Sequence, residues 1–182
     1  MFILTDGANT VLRTNYTLLE FRQENPTVLL PAAPDAQTLA TFNIYEPQPT
    51  ATPNYDPITE VCEEATPVRV DGVWTQVWSV QGASPELIAA RKQAIYDDIV
   101  AQTQTRLDSF ANTRGYDGIL SACTYATSPT PKFASEGQYC VQQRDATWAT
   151  LYTMLGEVQT GVRPMPTAFS DIESELPALV WP

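Results

Sequence analysis

Hydrophobic positions change their rhythm along the chain. Up to residue 82 they come in short β-branched and aromatic runs broken by prolines; after it they recur every three or four residues. "MFILT" predicts a short strand with a turn at Asp6-Gly7, and "NYTLLEFRQENP" a short helix stopped at Asn25-Pro26. "TVLLP" resumes an extended run, and "PDAQTLATFNIY" holds a turn or two of helix with Asp35 as its N-cap. In "VRVDGVWTQVWSV" two strands flank Asp71-Gly72, a pair suited to a two-residue turn with positive φ. Such a loop sets Val70 opposite Val73, Arg69 opposite Trp74, Pro67 opposite Gln76 and Ala65 opposite Trp78. Pro67 then makes its strand a sheet edge. Trp74, Trp78 and Val80 share one face. Burial of the two tryptophans is the expectation, beneath Phe2–Leu4, the long helix that follows or a neighbouring subunit.

From Gly82 the helical period takes over. Ser84 as N-cap, Pro85 in the first turn and Gly115 as a left-handed stop delimit a helix of about 30 residues, or about 45 Å at 1.5 Å per residue. Tyr96, Val100, Thr103, Leu107 and Phe110 form one stripe; Ile88, Ile95 and Ile99 belong to a second. A helix this long and half polar predicts a seam with another helix or with copies of itself. "GYDGILSACTYA" predicts a short helix with Ile119, Leu120 and Cys123 inward, and "SPTPKF" a turn. A second long helix spans 135–161, with Tyr139, Gln143 and Thr147 on one row and Cys140, Arg144, Trp148, Leu151, Leu155 and Val158 on another. Ser170 and Glu173 predict a capping box for a last short helix. The apolar ending "LPALVWP" calls for a groove or a partner, so Leu179, Val180 and Trp181 join Trp74, Trp78, Tyr96, Val100, Leu107 and Phe110 as candidate interface residues.

The fold class that follows is α+β: a small, proline-rich β half with a hairpin over residues 1–82, then a helical half over 83–182 with two long helices and shorter ones. Within the first, "EPQPTATPNY" reads as an extended polyproline arm (46–57), a linker or a strap lying on a neighbour's surface.

Composition narrows the chemistry. Ten Lys plus Arg against 21 Asp plus Glu give a net charge of -11 over 182 residues, which disfavours phosphate backbones and anionic lipid. No apolar run approaches the roughly 20 residues that span a bilayer, and the N-terminus lacks the pattern of a signal peptide. There is no histidine, so a Ser-His or Cys-His nucleophile within the chain is excluded. Cys62, Cys123 and Cys140 have neither zinc spacing nor an even count, and free, mostly buried thiols are the expectation. Asp97-Asp98 on a helix do not face each other, and "CEE" at 62–64 reads as edge-strand charge. Neither a cofactor nor a metal is expected. A glycan hydrolase would need two carboxylates about 5–9.5 Å apart in a cleft, and no pair is marked; the chain is not read as an enzyme.

Read as strings, "YTLLEFRQENPTVLLP", "LATFNIYEPQPTATPNYDP" and "VCEEATPVRVDGVWTQVWSV" in the first half, and "RGYDGILSACTYATSPTPKFASEGQYCVQQRDATWATLYTMLGEVQTGVRPMPT" with "SELPALVWP" in the second, resemble a family of small tailed-bacteriophage proteins associated with tail fibres and baseplates. An F-x-x-E-G step typical of these relatives is matched by Phe133, Glu136 and Gly137. The resemblance implies a structural tail protein in the virion, made in the host cytoplasm. It would act as an oligomer, a trimer by preference, with other tail or baseplate proteins and a host surface receptor as partners. It brings no catalytic residues. The other role it implies is a tail-fibre assembly chaperone.

Overall fold

The computed structural model describes residues 2–182. It is α+β, with strands in the N-terminal part and long helices in the C-terminal part. The chain divides into two compact units, residues 1–88 and 89–182.

In the first unit β1 (Phe2–Thr5) is the middle strand of a three-stranded antiparallel sheet, between β2 (Val11–Tyr16) and β3 (Ile44–Tyr45). The carboxylate of Asp6 accepts from the amides of Ala8 and Thr10 and so closes the β1–β2 turn. Neither β2 nor β3 is evident from the hydrophobic pattern: most of β2 is exposed and β3 has two residues. Helix α1 (Leu18–Glu24) begins at Thr17, whose hydroxyl accepts from the Glu20 amide while the Glu20 carboxylate accepts from the Thr17 amide. Helix α2 (Ala36–Ala40) is capped by Asp35, as its sequence predicts. The "TVLLP" run joins no sheet. Val28 and Leu30 pack on a core of Tyr16, Phe21, Leu39 and Ile44, while Leu29 between them is 98% exposed.

Strands β4 (Glu60–Val70) and β5 (Val73–Gly82) form a separate antiparallel hairpin. Asp71 (φ 49°) and Gly72 (φ 85°) make the turn with positive φ. Val70 faces Val73 and Arg69 faces Trp74, but the expected register fails beyond Val68–Thr75. Ala65 pairs with Val77 and Glu64 with Trp78, so Thr66 and Pro67 together stand against Gln76. This β-bulge is a physical answer to Pro67, which has no N–H for a regular ladder. The start of the proline-rich segment is held by the hairpin of its own chain. It lies along β5, where the Gln48 amide donates to the Trp74 carbonyl at 2.8 Å and the Gln76 amide donates to the Gln48 carbonyl at 2.9 Å.

In the second unit α3 (Pro85–Asn112), whose first turn belongs to the preceding unit, and α5 (Pro131–Gln159) are the long helices. Gly115, at φ 83°, takes up the left-handed stop. Ile99 of α3 clusters with Leu151 and Met154, whereas Leu107 and Ala111 cluster with Cys140, so the two helices run antiparallel. One cluster is closed by Phe169, Ile172 and Leu176, the other by Ile119 and Ala122 of α4 (Ile119–Cys123). At Ile99, Leu107 and Ala111 the apolar side of α3 is thus met by the chain's own α5.

Four local features differ from expectation. Helix α5 starts at Pro131, within the expected turn, because proline suits a first helical turn. Leu120 is 60% exposed; Ala122 takes the inward position. The Ser170–Glu173 box is absent: Asp171 accepts instead from the Thr167 and Ala168 amides, ahead of a 3-10 turn. Of the three cysteines, which are all free thiols, only Cys140 is fully buried.

Candidate functional site

The candidate residues fall into two separate places. In the first unit Trp74 is 5% exposed and its ring lies 6.1 Å from that of Tyr45, while its indole N–H has no acceptor. Trp78 is half-buried and donates its indole N–H to the Thr50 carbonyl at 3.4 Å. Thr50 is held in turn by Gln76: its amide donates to Gln76 Oε1 at 3.1 Å and its hydroxyl to the Gln76 carbonyl at 3.0 Å. Trp78 therefore meets the polyproline segment of its own chain. Val80, on the same face, is exposed.

In the second unit the C-terminal tail finds its groove within the same chain. Trp181 stacks on Phe110 with ring centroids 4.2 Å apart and planes 17° from parallel. The Arg114 guanidinium sits 5.1 Å from the Trp181 ring, and Trp181 Nε1 donates to Thr113 Oγ1 at 2.9 Å. Tyr116 and Tyr139 complete the aromatic surround, at 6.3 and 6.0 Å from Trp181. The Val180 amide donates to the Tyr139 hydroxyl at 2.9 Å, although the Val180 side chain is exposed. Further up the tail, Arg106 donates to the Pro177 carbonyl at 2.7 Å. Leu179 is half-buried against the same cluster.

Beneath this clamp lies a buried carboxylate. Glu136 accepts from Arg114 Nη1 at 2.6 Å and from the Tyr116 hydroxyl at 2.7 Å. Burial, then the hydrogen bond to Glu136, pushes the Tyr116 phenol up to about 12. Gly137 follows because the backbone of residues 125–126 crosses α5 there: a Cβ at Gly137 would stand 2.4 Å from the Ala126 nitrogen. At Gly118 the close neighbour is a side chain rather than backbone. A Cβ there would meet Asp108 Oδ1 at 2.7 Å, the same oxygen that accepts from the Ile119 amide to start α4.

Leu107 is wholly buried between the chain's own helices and is a core residue. Tyr96 and Val100 are half-buried toward the other end of α3, remote in sequence from the clamp. The sequence pattern marked Phe110 and Trp181, and it placed Glu136 in the F-x-x-E-G step and Tyr139 on a helical row, but it did not join them to Arg114 and Tyr116 of "RGY".

Burial raises the Cys140 thiol to about 11 and also raises Cys123, so both are protonated at neutral pH and neither is an activated nucleophile. Asp97 and Asp98 are exposed and accept from Gln93 and Gln102 along their own helix. Among the described residues no group of three or more His, Cys, Asp or Glu is placed to hold a metal, and no helix is long and apolar enough to cross a membrane. No protein-family model matches the chain, and neither a curated protein nor a solved structure matches it.

Proposed function

We propose that the chain is a structural component of a bacteriophage tail, a fibre or baseplate-peripheral subunit that works through protein–protein contacts in host attachment. One observation carries the reading. Within the strings that carry the resemblance, several residues pack the helical unit: Glu136 is buried beneath Arg114 and Tyr116, Gly137 admits the backbone at Ala126, and Trp181 of the terminal "LVWP" closes the clamp. The motif thus describes a module built for shape, which supports a scaffold more than a reaction centre. The charge of -11 fits a role without nucleic acid.

Mass spectrometry of purified virions tests it. A structural subunit is present in a fixed ratio to the other tail proteins. Absence from virions, with presence in infected cells, would move the chain to the other role of the resemblance, a tail-fibre assembly chaperone. Light scattering of the purified chain tests the oligomer, for which a trimer is the proposed state.

A further inference from the structure

The second unit has a groove that neither the clamp nor the tail fills. It encloses about 620 Å³ between the first half of α3 and the last half of α5. Its floor is the apolar core itself, Ile99, Leu151, Met154 and Ile172. Its walls are the half-buried Tyr96, Leu155, Val158 and Met165. Two of the chain's three methionines line it, and unbranched thioethers give a surface that can re-pack around different side chains.

Charge says what the occupant carries. On the rim stands Lys92, exposed and without an ion pair among the described residues. The rim's other cation, Arg163, is already engaged by Glu157 and Glu175. In a chain of net charge -11, an uncommitted ammonium beside an apolar groove complements a ligand that is apolar with a negative group at one end. The space lies along two antiparallel helices, and a volume of this size holds about three or four large side chains. That matches the spaced anchors of an amphipathic helix laid into a groove.

We infer that this groove is a docking site for an amphipathic helical segment of another protein, one that presents apolar anchors at i, i+3 or i+4, and i+7 and an acidic residue to Lys92. The inference does not require the chain to be a tail protein, and its test is independent of virion content.

The probe is a display library of helical peptides with randomised faces, selected on the full-length chain. Enriched peptides are expected to share three apolar anchors and at least one Asp or Glu. Fluorescence anisotropy of a labelled winner should show at least a tenfold loss of affinity with Lys92→Glu, a surface change that leaves the fold intact, and a loss of similar or larger size with Leu155→Asp. Thermal melting of both variants checks that they are folded; should Leu155→Asp not fold, Lys92→Glu decides alone. Failure to enrich any family of peptides would overturn the proposal, as would winners that bind Lys92→Glu as well as the parent or that carry basic residues instead. Self-association abolished by Lys92→Glu would overturn it in favour of a second copy as occupant.

Discussion

Gly137 lies directly beneath Ala126: a methyl group on the glycine would stand 2.4 Å from the alanine amide nitrogen, and 2.5 Å from the Tyr125 carbonyl carbon. Backbone cannot swing aside as a long side chain can. Gly156, in the same helix, has nothing within 4 Å of the corresponding position. One substitution therefore has opposite signs at two sites. Gly156→Ala gains helix propensity and should stabilise the chain by about 0.4–1 kcal/mol. Gly137→Ala forces α5 off the 124–127 turn and should destabilise it by about 1–3 kcal/mol. Urea unfolding of the two variants side by side checks this; equal signs would disprove the close approach.

Two buried threonines face different circumstances. The Thr103 hydroxyl donates to the Ile99 carbonyl at 2.8 Å, whereas Thr147 Oγ1 is buried with no hydrogen-bond partner. Replacing Thr147 by Val removes an unsatisfied polar atom at nearly constant volume and should stabilise the chain by about 1 kcal/mol. Thr103→Val loses a made bond and should be neutral or slightly destabilising. Thermal melts of the two variants would contradict this if Thr147→Val melted below the parent.

The two hairpin tryptophans should separate in their effects. Trp74 is core: Trp74→Ala should cost about 3–5 kcal/mol, while Trp74→Phe, which also removes an indole N–H without an acceptor, should cost much less. Trp78 holds the polyproline segment through Thr50, so Trp78→Phe should leave the melting temperature nearly unchanged and speed proteolysis within residues 51–57. The digest and the melt are read on the same samples. A Trp78→Phe chain cut no faster than the parent would show that the segment is held by its other contacts.

Alkaline stability should bend at a defined place. Burial, then a hydrogen bond to Glu24, raises the Tyr16 phenol from 10.0 to about 12, and Tyr116 is raised to about 12 by burial and Glu136. A raised folded-state value means that the native chain binds these protons more tightly than the unfolded chain. Their contribution is complete below pH 10 and is lost as pH rises from 10 toward 12. Denaturant midpoints measured across that window should fall, and the Tyr16→Phe, Tyr116→Phe double variant should fall less steeply. A parent midpoint flat to pH 12 would contradict the burial of both phenols.

The turn at Asp71-Gly72, the caps at Asp35 and Ser84 and the stop at Gly115 were legible because each rests on a local requirement of one or two residues. The bulge at Thr66–Pro67 was not. Strand β4 is an edge, as Pro67 suggests, yet its ladder also admits an extra residue there, and that depends on what packs around it; here Pro67 is buried. Strand β2 escaped notice because it pairs with β1 while most of its side chains stay in water. The clamp shows the same limit at the level of the site. Its terminal tryptophan looks like an unattached apolar tail, because Phe110, Arg114, Tyr116 and Tyr139 come together only when α3 and α5 pack. The groove is less visible still: Tyr96 reads as a candidate interface residue and Leu155 as a stripe position, and nothing in the sequence says that the two helices leave a space between them.

Burying Glu136 under Arg114 and Tyr116 has a consequence for descent. A lineage that lost the arginine alone would keep a buried carboxylate with one neutral donor, an intermediate that costs roughly 1–3 kcal/mol because the arginine itself is partly exposed. Arg114, Tyr116 and Glu136 should therefore change together or not at all, and Trp181, which rests on that same guanidinium, should follow them. A chain that carries an F-x-x-E-G step, with "RGY" some 20 residues before it and a tryptophan near its end, has the residues to build the same clamp, and one without them does not.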